Sequence, residues 1–338
     1  MSQPKHILVI RLSAMGDVAM TVNILSAFTT QYPNVKLTVL TRGFFAPFFR
    51  DLKNVNVFNA DVKGKHKGVL GLFKLSKELK VLGIDAVADL HNVLRSKILN
   101  SFFFGIKTEQ IDKGRAEKKA LVTKDNFKQL KTTHQRYADV FERLGFPIDI
   151  SNPTFPERKP LNETTLEKVG VDDLQWIGIA PFAAFEGKMY PLDLMENVIE
   201  NLSKTHKIIL FGGGDKEITV LNTFQNKYKN VVNVAGQLTL NEELDVISNH
   251  DVMLSMDSGN AHIAAMLGIK VITIWGITHP FAGFAPFHQP EDFALLADTE
   301  IYPLIPTSIY GNKCPETYLK AAGSIAPDVV IAKIKAVI

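Results

Sequence analysis

Residues 253–265 place groups that suit an anion beside a group that suits a sugar. An apolar run ends on Asp257, a Ser258-Gly259 turn follows, and His262 falls in the first turn of the helix predicted next. The start of a helix offers backbone N–H groups and a partial positive charge, which favour a phosphate. Glycine lets a ligand approach the backbone closely. Asp257 can accept hydrogen bonds from hydroxyls and His262 can donate to an oxygen, so the segment predicts a nucleotide-sugar site.

Three further loops of the same half follow predicted strands and carry suitable groups. Lys188 lies just before a predicted helix and can neutralise a phosphate as a point charge. Glu217 follows three glycines and can accept hydrogen bonds from a ribose diol. Gln237 and Leu238 follow the next strand, where backbone groups can meet a base edge. Each loop alone also fits a solvated lysine or an ordinary turn. Their shared position at strand ends favours one donor site.

Asp17 is the candidate catalytic residue of the first half. It follows Gly16 after the first predicted strand, where a carboxylate can act as a general base. The alternative is an N-cap aspartate. Neither G-x-G-x-x-G nor G-x-x-x-x-G-K-[ST] occurs in the chain, which argues against a nicotinamide enzyme and a P-loop NTPase.

Strand-like and helix-like runs alternate along both halves, a pattern typical of parallel α/β sheets. Predicted strands are 5–11, 35–40, 55–59, 86–90, 176–180, 207–211, 231–234, 252–256 and 271–275. Predicted helices are 18–32, 44–52, 70–82, 133–144, 192–203, 216–227, 242–248 and 327–338, and a further helix after 252–256 ends at 267.

A proline-rich stretch at 147–160 is the predicted linker between two domains. We therefore expect an N-terminal acceptor-binding domain over 1–155 and a C-terminal nucleotide-sugar-binding domain over 156–322. The last segment, 323–338, is a candidate helix for packing back on the N-terminal domain. Ligands of such sheets bind beyond the carboxyl ends of the strands, so we expect the two domains to face each other across a cleft.

The charge is distributed unevenly. Residues 1–160 carry 26 Lys and Arg against 14 Asp and Glu, whereas residues 161–338 carry 12 against 21. A basic half predicts an anionic partner: a phosphorylated substrate, a membrane surface or a nucleic acid. A nucleic acid is disfavoured by the acidic second half and by the lack of a binding motif. The candidate acceptor-binding residues are Lys65, Arg95, Lys113 and Arg115, unless these clusters are only solvated faces.

Composition narrows the remaining classes. One cysteine, scattered histidines and the lack of a D-x-D motif predict no metal site. No apolar run reaches the ~18 residues of a membrane span, and no signal peptide is evident, so we expect a cytoplasmic protein. The phenylalanines at 44, 45, 48 and 49 form one helical stripe, and those at 102–104 form a run. Both sets could contact a lipid, and the stripe is more typical of a protein core.

The chain resembles glycosyltransferase family 9, the ADP-heptose:lipopolysaccharide heptosyltransferases. The resemblance rests on two motifs in this order, Arg11-Leu-Ser-Ala-Met-Gly16-Asp17-Val18 and Asp257-Ser258-Gly259-x-x-His262-x-Ala-Ala. It implies the GT-B fold, with two facing Rossmann-like domains, mostly parallel sheets and an inter-domain cleft. It also implies an inverting, metal-independent transfer of heptose from ADP-heptose to a lipopolysaccharide core acceptor, with no cofactor.

The resemblance also implies residue roles. Asp17 would be the general base and Lys188 would bind phosphate. Asp257 would meet the heptose and Glu217 the ribose. The residues expected at the donor diphosphate are Ser258, Gly259 and His262.

One departure from the family pattern leaves the identity of the donor open. Residues 183–186 read Ala-Ala-Phe-Glu, where family members often carry hydroxyl side chains just before the lysine. The alternatives are a GT-B transferase or epimerase that uses another nucleotide sugar, and a non-catalytic nucleotide-sugar-binding protein. A lipid-linked saccharide acceptor would bring the protein to the cytoplasmic face of the inner membrane at least transiently.

Overall fold

The computed structural model describes residues 3–338, which form two compact units. The first unit runs to Gly114 and resumes from Lys131 to Thr154. The second comprises Arg115–Leu130 and Phe155–Ile338. The division at 154/155 lies one residue from the predicted boundary. The sequence did not predict that Arg115–Leu130 belongs to the second unit, because the assignment depends on tertiary contacts. One of them is the hydrogen bond that the Leu130 N–H donates to the carbonyl of Phe281 over 2.9 Å.

The first unit is a five-stranded parallel sheet with helices between its strands. In chain order the elements up to residue 154 are β1 (His6–Ile10), α1 (Met15–Gln31), β2 (Lys36–Thr41), a 3₁₀ helix (Gly43–Phe49), β3 (Val55–Asn59), α2 (Gly68–Lys80), β4 (Ala86–Asp89), α3 (Leu94–Ser101), β5 (Lys107–Gln110), α4 (Arg115–Val122, in the second unit) and α5 (Thr133–Leu144). The strand order is β3-β2-β1-β4-β5. All five residues of β1 are buried, as expected for a central parallel strand covered on both faces.

The second unit is a six-stranded parallel sheet of the same kind. Its elements after residue 154 are α6 (Glu163–Val169), β6 (Trp176–Ala180), a 3₁₀ turn (Glu186–Lys188), α7 (Leu192–Leu202), β7 (Lys207–Leu210), α8 (Asp215–Lys227), β8 (Val231–Asn233), α9 (Leu240–Ser248), β9 (Val252–Met256), α10 (Gly259–Met266), β10 (Lys270–Trp275), β11 (Ala294–Leu296) and α11 (Pro327–Val337). The strand order is β11-β10-β9-β6-β7-β8. The predicted α/β class with parallel sheets is confirmed.

The C-terminal helix α11 packs in the second unit, contrary to the expectation that it returns to the first. Val330, Ile331 and Ile334 join the core cluster that also holds Val198 of α7 and Leu254 of β9. An apolar stripe at spacings of three and four shows that a helix is buried, and it does not identify the surface that covers it.

Three of the four stripe phenylalanines lie in the core, as predicted. Phe45, Phe48 and Phe49 are buried, whereas Phe44 is exposed. The segment is a 3₁₀ helix with Pro47 inside it rather than the predicted α-helix over 44–52. Proline has no N–H to donate, which disfavours a regular α-helix here. Among residues 3–338, no helix combines the length and the apolar character needed to cross a bilayer.

Candidate functional site

Each sheet reverses its strand order next to one central pair of strands, and candidate residues follow both pairs. In the first sheet the pair is β1 and β4, and in the second it is β6 and β9. Loops that leave such a pair diverge to opposite faces and open a crevice at the carboxyl edge. Asp17 follows β1, Lys188 follows β6 and Asp257 follows β9. The sequence-predicted residues therefore stand where each sheet can bind a ligand.

Asp17 is fixed by two contacts on one carboxylate oxygen. Its Oδ2 lies 2.6 Å from Nη2 of Arg11 and accepts a 3.2 Å hydrogen bond from the Ala14 N–H. The buried Arg11 is held in turn, because its Nη1 donates to the Leu90 carbonyl over 2.7 Å. The side chain of Asp17 is nonetheless about one-third exposed. The carboxylate is thus oriented and still accessible.

The N-cap alternative for Asp17 is wrong in position. The N-cap of α1 is Ala14, and Asp17 is the third residue of the helix. Its carboxylate still satisfies the Ala14 N–H, as the acidic member of a capping box does. The other half of that motif is missing, since an alanine side chain has no acceptor. Helix capping accounts for one contact of Asp17 and leaves the Arg11 ion pair unexplained.

Tyr137 and His91 complete the surroundings of Asp17. The buried Tyr137 hydroxyl donates to the Asp17 carbonyl over 3.4 Å, and its ring centroid lies 5.9 Å from the Arg11 guanidinium carbon. Burial and, secondarily, the charge of Arg11 lower the pKa of His91 to about 4. His91 is therefore neutral near pH 7, and its Nδ1 is buried without a hydrogen-bond partner in the described chain.

Lys188 and Asp257 form the charged centre of the second sheet. The Lys188 Nζ lies 2.8 Å from Oδ2 of Asp257, and both side chains are about nine-tenths buried. The Thr278 hydroxyl donates to the same Oδ2 over 2.8 Å. Both contacts use one oxygen, so Oδ1 of Asp257 stays available to a ligand. A lysine ammonium has three donors, and Asp257 occupies one of them.

Glycine packing positions the loop that carries Lys188. The Ile277 N–H donates to the Gly187 carbonyl over 3.1 Å, which ties the loop to the chain just after β10. A Cβ at Gly276 would collide with that same Gly187 oxygen. A Cβ at Gly187 would come within 2.7 Å of the Ile277 side chain. Two glycines thus allow the close approach that brings Lys188 to Asp257.

The start of α10 carries the remaining predicted phosphate ligands. Ser258 is the N-cap, and its side chain makes no capping hydrogen bond. Its hydroxyl instead lies 3.0 Å from that of Ser255. Gly259 opens the helix and His262 lies buried in its first turn. The first-turn N–H groups are not taken by the Ser258 side chain, so they suit an anion.

Glu217, Gln237 and Leu238 lie at the ends of the two outer strands β7 and β8. Glu217 is in the first turn of α8, where its Oε2 accepts from the Gly213 N–H over 2.8 Å. The Gln237 side chain donates to the Asn233 carbonyl over 2.7 Å, and Leu238 is half-buried. The structure places all three at the carboxyl edge that also bears Lys188 and Asp257.

Two of the four candidate acceptor residues lie near His91 in the first unit. The charges of Lys113, just after β5, and of Arg95, in α3, both lower the pKa of His91, whereas Asp17 raises it. These cations therefore share the electrostatic surroundings of Asp17.

The other two candidate acceptor residues lie elsewhere. Lys65 forms a 2.8 Å ion pair with Glu78 of α2. Arg115 is exposed at the start of α4, in the second unit.

Sequence reasoning missed the partners that hold these residues. Thr278 follows β10 and could have been found by inspecting every loop after a strand. Arg11 was read only as part of a motif, because nothing in the sequence shows which way a guanidinium turns. Tyr137 lies about 120 residues from Asp17 and left no local signal. Over residues 3–338, no three His, Cys, Asp or Glu side chains group as metal ligands.

Known proteins match the chain over most of its length. Lipopolysaccharide core heptosyltransferase OpsX of Haemophilus influenzae is 25% identical over 312 residues, 86% of this chain and 84% of that protein. The structure of a family 9 glycosyl transferase from Veillonella parvula superposes with a TM-score of 0.76 at 19% identity, covering 98% and 97% of the two chains. The structure of Escherichia coli ADP-heptose LPS heptosyltransferase II gives 0.71 at 18% identity, covering 98% of each chain. These structural likenesses show the GT-B fold.

The family model of glycosyltransferase family 9 (heptosyltransferase) matches residues 72–296. This range includes Lys188, Glu217 and the whole 257–262 motif. The match spans about two-thirds of the 338 residues. The chain therefore belongs to glycosyltransferase family 9 and is a glycosyltransferase.

Proposed function

We propose that the protein transfers heptose from ADP-heptose to a sugar of the lipopolysaccharide core, with inversion and without a metal. The observation that carries the proposal is the group at the β6/β9 edge: Lys188, its partner Asp257 and the start of α10. A cation and a set of backbone N–H groups suit a diphosphate, and a carboxylate with one oxygen available suits a sugar hydroxyl. The names of the relatives support the choice of ADP-heptose and of a lipopolysaccharide acceptor.

The proposed reaction uses Asp17 as its general base. Asp17 accepts the proton of an acceptor hydroxyl as that oxygen forms a bond to the anomeric carbon of heptose. The bond from this carbon to the diphosphate oxygen breaks, and its electron pair leaves with ADP. The transition state resembles an oxocarbenium ion, as in other reactions at an anomeric carbon. Arg11 orients the base, because it holds one carboxylate oxygen while the side chain stays partly exposed.

The leaving diphosphate gains negative charge during the reaction and is stabilised by positive groups and hydrogen-bond donors. We assign Lys188, the backbone N–H groups at 258–259 and His262 to the diphosphate, where fixed donors favour the developing charge. We assign Oδ1 of Asp257 to heptose, Glu217 to ribose, and the backbone at Gln237 and Leu238 to the base. Lys113 and Arg95 are the acceptor-binding candidates best supported by their proximity to His91. Lys65 and Arg115 remain proposals from sequence.

The base is tested with Asp17→Asn. We expect transfer to fall at least about 100-fold, within the usual range for a lost general base, while ADP affinity stays unchanged. Transfer is measured as ADP release with ADP-heptose and a lipopolysaccharide core acceptor, and ADP affinity by calorimetry. Normal turnover by this variant would remove Asp17 from the mechanism.

Two further measurements test the type of reaction. The anomeric configuration of the product, determined by NMR, tests inversion. Transfer activity in excess EDTA tests whether the reaction is independent of a metal.

Lys188→Ala tests the donor site. We expect ADP affinity to fall about tenfold or more, since a charge-assisted contact contributes roughly 1.5–3 kcal/mol. Lys216→Ala, an exposed lysine of the same unit, is the matched control and should bind ADP normally. Unchanged ADP affinity in Lys188→Ala would exclude a role of Lys188 in phosphate binding.

The wild-type protein also tests which nucleotide the donor carries. Tighter binding of UDP than of ADP would favour the alternative of another nucleotide sugar.

A further inference from the structure

Helix α2 presents apolar side chains on its exposed face as well as on its buried one. Leu72, Leu75 and Leu79 lie in the core of the first unit. Leu70 is nevertheless 86% exposed and Phe73 44% exposed. A helix on the surface of a globular protein ordinarily places polar groups on its outer face. The outer apolar residues of α2 are not explained by the core.

The segment after α3 extends this exposed apolar set. The Phe102 ring packs against the Phe73 ring of α2 with centroids 5.4 Å apart. Phe103 is buried beside it, whereas Phe104 is 97% exposed. Phe104 lies two residues after Phe102 in the chain, and a phenylalanine this exposed marks an interaction surface. We call this set the α2–α3 surface; its members are Val69, Leu70, Phe73, Lys74, Lys77 and Phe104.

The surroundings of the α2–α3 surface are strongly basic. Residues 62–84 contain six lysines and one acid, Glu78, and are flanked by Asp61 and Asp85. Glu78 is already paired with Lys65 and lies 3.4 Å from His66. Residues 91–108 add three basic residues and no acid. The cations intermix with the apolar groups, since the Lys77 Nζ lies 4.6 Å from the Phe73 ring centroid.

We infer that the α2–α3 surface docks the protein on a bilayer that carries anionic headgroups. Leucine and phenylalanine side chains gain free energy by entering the boundary between headgroups and acyl chains. Lysines beside them are attracted by anionic lipid phosphates. The charge disfavours a second copy as the occupant, because a two-fold dimer would place this basic surface against itself. The inference does not rest on the proposed sugar transfer.

Sedimentation with vesicles tests the docking directly. The wild-type protein should bind vesicles of phosphatidylethanolamine and phosphatidylglycerol, bind pure phosphatidylcholine much more weakly, and lose affinity as salt rises. Lys74→Gln with Lys77→Gln should lower binding to the anionic vesicles about tenfold or more. Leu70→Ser with Phe73→Ser, and Phe104→Ser separately, should lower it as well. All of these side chains are exposed, so thermal midpoints should match that of the wild-type protein.

Matched controls lie in the second unit. Lys216→Gln with Lys229→Gln removes two exposed charges, and Ile301→Ser with Leu304→Ser removes two exposed apolar side chains. Both pairs should bind vesicles like the wild-type protein. Absent vesicle binding, equal loss in the controls, or retention by the α2–α3 variants would overturn the inference. So would a dimer in sedimentation velocity that Phe73→Ser dissociates.

A soluble reaction separates this inference from the proposed function. With a delipidated core oligosaccharide as acceptor, the α2–α3 variants should transfer heptose at the wild-type rate. Failure of the wild-type protein to transfer heptose would count against the function alone, and its vesicle binding would still decide the docking.

Discussion

At the scale of single residues, Arg11 determines how Asp17 is presented. The guanidinium contacts one carboxylate oxygen and is itself fixed on the Leu90 carbonyl. Arg11→Lys keeps the charge and loses the second donor that fixes the side chain, so Asp17 becomes less well oriented. We expect kcat to fall about 10- to 100-fold, because small misplacements of a reacting group are costly. ADP affinity and the KM for ADP-heptose should stay near wild-type values.

The control for this prediction is Arg158→Lys, which alters an exposed ion pair with Asp251 in the second unit. It should leave kcat unchanged. A loss of stability without a change in kcat in Arg11→Lys would mean that the arginine is only structural. Steady-state kinetics together with thermal melting separates the two results.

At the scale of elements, the close contact between the Lys188 loop and the end of β10 is the feature that a small change should disturb most. In Gly276→Ala the new Cβ meets the Gly187 carbonyl, a backbone group that cannot rotate away. The loop must shift, and Lys188 moves with it. We expect ADP affinity to fall about tenfold and stability by about 1–3 kcal/mol, as for other overpacked sites. Calorimetry with ADP and chemical denaturation measure the two effects.

Gly178→Ala in β6 is the matched control. Its Cβ would meet the end of the Met253 side chain at 2.7 Å, within the same sheet and not at the loop. Stability should fall while ADP affinity persists. Equal ADP affinity in Gly276→Ala and Gly178→Ala would show that the position of the Lys188 loop does not depend on the close contact between Gly276 and Gly187.

Elements with a strong apolar pattern were predictable, and those without one were not. The strands β3, β6 and β9 and helix α5 fall on the predicted residues, since each has a clear period or an apolar run. The edge strand β5 reads Lys-Thr-Glu-Gln and was missed, because an exposed edge needs no apolar residues. The candidate residues were found because they follow strands. Their partners depend on tertiary contacts that no local spacing encodes.

At the scale of the whole molecule, buried histidines should make the fold sensitive to mild acid. Burial lowers the pKa of His91, His250 and His279 to about 4, from an ordinary value near 6.5. Between these values the unfolded chain binds more protons than the folded one, so stability falls as pH decreases from about 6.5 towards 4. Glu243 acts in the opposite sense, since burial raises its pKa to about 7. Because the three histidines lower stability in mild acid and Glu243 alone raises it, the net effect is a loss of stability in acid.

His250 is the clearest of these groups to test. Its Nδ1 lies 2.8 Å from the Val246 carbonyl, so this nitrogen carries the proton, and Nε2 is buried without a partner in the described chain. His250→Phe removes the titrating group from an aromatic environment that includes Phe211. The thermal midpoint of the wild-type protein should fall between pH 7 and pH 5, and that of His250→Phe should fall less. The thermal midpoint of Glu243→Gln should fall more steeply over this range than that of the wild-type protein. Parallel slopes for all three proteins would mean that neither side chain has a different pKa in the folded and unfolded states.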